Sequence, residues 1–150
     1  MFHIALYEPE IPPNTGNIAR LCAATRTMLH IVGPAGFRMD ERAVKRAGLD
    51  YWDEVSVTMH LDLDGLYSSL SASRFLYFTT KATQRYTDWR YEPGDCLVFG
   101  PETRGLPEEL LADNPRTTLT IPMPNPAVRS LNLATSAGIA LYEAIRQASA

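Results

Sequence analysis

IPMPNPAVRSLNLATSA, residues 121–137, changes character twice within one short stretch. Ile121 closes an apolar run, Pro122, Pro124 and Pro126 stiffen the next segment, and small and apolar residues then recur at helical spacing. This order predicts a strand, a rigid turn and a helix from Ser130 to about Ala148, with Arg129, Ser130 and Asn132 at its start. Such a junction offers backbone N–H groups and a few polar side chains to a ligand. The prolines lower the entropy lost in fixing it. Ser130 can cap the helix or bind a carboxylate or hydroxyl there. The helix body carries Leu131, Leu133, Ala137, Ile139, Leu141 and Ile145 on nearly every face, and helices of that kind are buried. A chain of 150 residues cannot easily cover such a helix alone. A homodimer is therefore expected, with Ile139, Tyr142 and Ile145 at its seam.

Two similar junctions lie upstream, PNTGNIAR at 13–20 and FGPETRGLPEEL at 99–110. Between them, short apolar runs alternate with helical patterns. Strands are expected at Phe2–Tyr7, Leu29–Val32, Val55 to Val57, Phe75–Phe78, Cys96–Phe99 and Leu119–Ile121. Helices are expected at Glu41 to Ala47 behind Asp40, at Leu61–Leu70 and at Pro107–Ala112. The consecutive prolines of PEIPPNTG read as a break, with Asn14 or Thr15 capping the next helix. Apolar strands without clean alternation point to an α/β protein: a mostly parallel sheet flanked by helices on both faces, in one domain spanning 1–150. Ligands in such sheets bind beyond the carboxyl ends of the strands, where all three loops would sit.

Composition narrows the chemistry. Net charge is −3, so any grip on a polyanion must be local. No secretory signal or membrane-length apolar run is visible, and the two cysteines, Cys22 and Cys96, read as reduced core residues of a cytoplasmic protein. His3, His30 and His60 stand at isolated positions without metal-ligand spacing, so no metal is expected. GxSxG, GxxxxGK[ST] and GxGxxG are all absent, which sets aside serine hydrolysis, nucleotide hydrolysis and ordinary dinucleotide use. Backbone-rich loops remain. Gly100 and Gly105 allow a turn or a close approach to a ligand, and Glu102 and Arg104 could pair to hold their loop. Arg20 offers a planar cation suited to phosphate, with Asn17 and Asn14 nearby.

Taken together, the segments NTGNIAR (14–20), LVFGPETRGLP (97–107) and IPMPNPAVRSLNLATSAG (121–138) resemble the three motifs of the SPOUT RNA methyltransferases. LYEPEIPPNTGNIARLCAAT (6–25) and RAGLDYWDEV (46–55) extend the likeness to the family's smallest members, which act on the wobble nucleotide of tRNA. The resemblance covers essentially the whole chain, without an appended RNA-binding domain. It implies a deep C-terminal trefoil knot, which no composition or spacing suggests. It also implies S-adenosylmethionine held by Phe78, Thr79, Gly100, Glu102, Gly105, Ile121, Met123, Ser130, Leu131 and Asn132. Arg20, with Asn14 and Ser130, would be catalytic at the ribose 2'-hydroxyl. A guanidinium is a poor base in water, so proton removal and electrostatic support both stay open for Arg20. The implied substrate is the anticodon stem-loop of tRNA, at cytidine or modified uridine 34 of leucine tRNAs. Methylation at another tRNA or rRNA site, or a non-catalytic RNA-binding module, are the alternatives. One departure is the uncharged PNPAV ahead of Arg129, where the family often places a charge.

Overall fold

The computed structural model describes residues 1–35 and 54–149. The chain opens with β1 (His3–Tyr7), α1 (Pro12–Thr25) and β2 (Met28–Val32). It continues through β3 (Val57–His60), α2 (Leu63–Ser69), β4 (Phe75–Phe78) and β5 (Cys96–Phe99), then α3 (Glu108–Asp113), β6 (Thr118–Leu119) and α4 (Leu133–Ala148). The strands form one sheet in the order β3-β2-β1-β5-β4-β6, with every neighbouring pair parallel. Parallel neighbours cannot be joined by tight turns, so each strand must be reached by a crossover.

Side chains of β1, β2, β4 and β5 alternate between two buried faces. Ile4, Leu6, Leu29, Ile31, Leu97 and Phe99 pack with Ile18, Ala19 and Cys22 of α1 and with Ala137, Ala140, Leu141 and Ala144 of α4. Ala5, Val32, Tyr77 and Val98 face the other way, against Leu66 of α2 and Leu106, with Leu110 and Leu111 of α3 partly buried beside them. Two covered faces explain why the strands read as continuous apolar runs. Cys22 and Cys96 are buried and unpaired. Burial pushes the Cys22 thiol up to about 12, so it is not a nucleophile at neutral pH.

Several local expectations are corrected. The tandem prolines do not break α1; they occupy its first turn, where no N–H partner is lost. Asn14 and Thr15 therefore lie inside the helix and are buried, and neither caps it. Pro107 precedes α3 instead of starting it. The last helix begins at Leu133, so Ser130 lies in the loop, and Asn132 is the cap, accepting a hydrogen bond from Thr135 N at 3.2 Å. That helix also buries one face only, through Leu133, Ala137, Ala140, Leu141 and Ala144, while Tyr142 is 54 % exposed. The helix expected at 41–47 lies outside the described residues.

The three histidines are not isolated. The register pairs Ala5 with His30 and Val32 with His60, so His3, His30 and His60 sit on one sheet face, each offset by two residues from the next. His3 Nδ1 lies 3.0 Å from His30 Nε2, and His30 Nδ1 lies 2.9 Å from His60 Nε2. Both His30 nitrogens are thus spent on neighbouring rings. Burial, and then the charge of its two neighbours, lowers its pKa from 6.5 to about 4. The unfolded chain therefore takes up a proton that the folded chain refuses. Stability is full above pH 6.5 and falls as pH drops towards 4. Denaturant unfolding at pH 7.5 and pH 5.0 should show about 2 kcal/mol lost to this group. His30→Asn should flatten the slope by that amount; an unchanged slope would assign the acid sensitivity elsewhere.

Candidate functional site

From β1 the chain crosses to β2 on one side, and from β5 it crosses through α3, past β4, to β6 on the other. The β1–β5 seam is therefore the switch point of the sheet, where a crevice opens beyond the carboxyl ends of the strands. The loops after β4, β5 and β6 converge beside it on a cavity of about 770 Å³. That volume is typical of cofactor sites, about 300–1,000 Å³. Phe78 to Lys81, Phe99 to Leu106, Thr120, Ile121, Met123, Arg129 to Leu133 and Ser136 line it, together with Ile11 and Asn14 from the start of α1.

The lining has two characters. The rings of Phe78 and Phe99 stack with centroids 4.7 Å apart and, with Ile121, Leu131 and Leu133, make an apolar wall. Thr79, Thr80, Ser136 and the backbone of the proline-rich loop provide polar edges. A flat, polar-edged heteroaromatic ring with a charged tail fits such walls, so the residues present suit an adenosyl cofactor. Among the described residues, no group of three or more His, Cys, Asp or Glu could hold a metal ion.

All ten residues expected to touch cofactor line this cavity, as does Asn14. Arg20 is exposed on α1 and lies outside the lining. The expected Glu102–Arg104 pair is not formed. Glu102 instead reaches the start of α1, where its Oε1 accepts from Glu10 N at 2.9 Å and its Oε2 from Ile11 N at 2.8 Å. This is a cap supplied from a distant loop: Ile11 occupies the cap position without a side-chain cap bond, and the negative charge complements the helix dipole. Arg104 pairs with Glu8 at 3.3 Å and Glu10 at 3.7 Å. Glu10 also accepts from Thr103 N and Oγ1 at 2.9 and 2.7 Å. Those two bonds, and then Arg104, hold its carboxyl below the usual range. Sequence reading missed this network because its partners lie some ninety residues apart. It also missed Ser136, which stands one helical turn beyond Asn132, a spacing that could have revealed it.

Gly100 is required by the fold of its own loop. A Cβ there would lie 2.4 Å from Leu106 N and 2.5 Å from the carbonyl carbon of Gly105. The close approach is to the loop's own backbone. Gly105, at φ +69°, supplies the left-handed turn that folds the loop back.

Residues 1–142 match the SpoU rRNA Methylase family. A tRNA (cytidine(34)-2'-O)-methyltransferase from Methylovorus glucosotrophus is 49% identical over 148 residues, 98% of this chain and 96% of that protein. A solved structure describing 2-OH methylation of C/U34 on tRNA superposes with a TM-score of 0.91 at 48% identity, covering 98% of this chain and 95% of that one. An AdoMet-bound rRNA methyltransferase from Sinorhizobium meliloti superposes with a TM-score of 0.84 at 26% identity, covering 97% of this chain and 56% of that one.

Proposed function

Because the chain belongs to the SpoU rRNA Methylase family, we propose that it methylates the ribose 2'-oxygen of nucleotide 34 in tRNA. The methyl donor of this family is S-adenosylmethionine, which when bound supplies a methyl group on a sulfonium, already a good leaving group. The protein's work is therefore placement and charge. Phe78, Phe99, Ile121 and Leu131 would hold the adenosyl part, with Thr79, Met123, Ser130 and the backbone of the 100–105 loop around the rest. Arg20 would fix the substrate phosphate and steady negative charge on the ribose oxygen.

One observation carries this reading. Three segments far apart in sequence, each from one of the three motifs, meet at a single cavity beyond the carboxyl ends of the strands: Asn14 at the start of α1, the 99–106 loop, and the loop that leads into α4. The position-34 address rests on a relative that shares nearly the full length.

The same reading includes a C-terminal trefoil knot in one domain. The return of the chain from β6, at the sheet edge, to pack α4 against α1 supports it. It also includes a homodimer in which Arg20 serves the partner's cavity. Arg20's exposure outside its own cavity lining supports this, as does the exposed Tyr142 on α4. No described helix is long and apolar enough to cross a membrane, and a tRNA substrate places the reaction in the cytoplasm.

Leucine tRNAs incubated with the protein and methyl-labelled S-adenosylmethionine should gain label on the ribose of nucleotide 34, located by nuclease mapping. The active species should sediment as a dimer. Label at another nucleotide would move the address, and RNA binding without label would leave a non-catalytic binding module.

A further inference from the structure

A line of side-chain hydrogen bonds joins the three motifs. Asn132 Nδ2 donates to Asn14 Oδ1 at 3.0 Å, and Asn14 Nδ2 donates to Glu102 Oε2 at 3.2 Å. The line begins at Thr135 N, which donates to Asn132 Oδ1 at 3.2 Å. It ends at Glu102, whose two oxygens also take Glu10 N and Ile11 N.

The direction of every bond is forced. A backbone N–H only donates, so Asn132 must turn its oxygen to Thr135 and its amide nitrogen to Asn14. A carboxylate only accepts, so Asn14 must turn its nitrogen to Glu102 and its oxygen to Asn132. The two ends dictate the same arrangement of Asn14 independently. Asn14 is only 6 % exposed, and both polar ends of its side chain are used within the line. With Asn14 buried at its centre, between a half-buried Glu102 and an exposed Asn132, the line specifies one geometry, because any reversal leaves two donors or two acceptors face to face.

We infer that Glu102, Asn14 and Asn132 form a one-way positioning relay that fixes the first turn of α1 against the two cofactor loops, and so sets where Arg20 is carried. This rests on the functional reading above. The three are assigned as positioning residues, because the bonds that join the motifs run from one of them to the next and to backbone. Arg20 lies six residues beyond Asn14, about 9 Å along the helix axis. A small tilt of the first turn therefore moves the guanidinium relative to the reacting atoms. Misplacement of that kind lowers turnover more than binding.

The relay is testable by reversal. Asn132→Asp keeps the acceptor for Thr135 N but removes the donor to Asn14. At saturating tRNA and cofactor, kcat should fall about tenfold or more. KM for tRNA should stay within about threefold, so that the loss is read in kcat. In Asn132→Asp combined with Glu102→Gln, Asn14 can turn over. Its nitrogen then donates to the carboxylate introduced at position 132, and its oxygen accepts from the amide introduced at position 102, leaving one bond to the start of α1 unmade. This double variant should turn over at least about fivefold faster than the product of the two single losses predicts. A purely structural tie would move the melting temperature and leave kcat of the folded protein alone. If Asn132→Asp does not fold, Asn132→Ser retains a cap oxygen, lacks the donating arm and should show the same loss of kcat. A kcat within twofold of wild type, or strictly multiplicative single losses, would overturn the relay while the functional reading stands. Wild-type protein that methylates no RNA would overturn the functional reading and the relay with it.

Discussion

Arg20→Ala is expected to lower methyl transfer at saturating tRNA by about a hundredfold or more, with cofactor affinity changed less than about threefold. The separation follows from geometry: Arg20 is exposed on α1 and outside the cavity lining. Losing it removes no cofactor contact. It removes the one motif cation on the helix whose first turn the relay fixes. Arg20→Lys should recover little, because an ammonium is a point charge and cannot grip a phosphate or steady a ribose oxygen in the planar, two-pronged way of a guanidinium. Single-turnover assays with calorimetry of the same preparations would decide it. Near-normal turnover of the alanine variant would take Arg20 out of the chemistry.

Gly100→Val should abolish cofactor binding and cost the fold about 3 kcal/mol or more, read by urea unfolding and calorimetry. The added Cβ alone meets Leu106 N, the carbonyl carbon of Gly105 and its Cα at 2.4, 2.5 and 3.0 Å. These are backbone atoms and cannot swing aside. The 100–106 turn must open, which pulls Glu102 from α1 and Arg104 from Glu8 and Glu10. Gly100→Ala should do most of the same damage, since the clash is with the first carbon of any side chain. An alanine variant with unchanged stability and affinity would place the constraint elsewhere.

Legibility in the sequence tracks physical range. Phe75–Phe78 and Cys96–Phe99 were readable to the residue, because a strand buried on both faces is a bounded apolar run. The motif loops were legible too, as strand-to-helix junctions rich in Gly, Pro and polar residues. The start of α1 was not. Pro12 and Pro13 read as breakers, yet a first helical turn tolerates proline, and its cap came from Glu102, far along the chain. The histidine row was hidden for the same reason: separations of 27 and 30 residues mean nothing until register is known. The start of the last helix was misjudged because Ser130 and Asn132 are both good caps, and only Asn132 has Thr135 N within reach.

The packing of α1 on α4 has a consequence for synthesis. The apolar face of α1 emerges long before its cover, Leu133–Ala148. At roughly 5–20 residues per second, a ribosome takes on the order of 6 to 25 s to travel from Thr25 to Ala148. Throughout that interval Ile18, Ala19 and Cys22 lack their final neighbours, and the nascent chain is exposed to chaperones and to wrong partners. A premature stop before the last helix would therefore do more than shorten the protein. It would strip one wall from the cavity and uncover α1 together, so the shortened product would be a substrate for quality control and not a weaker enzyme.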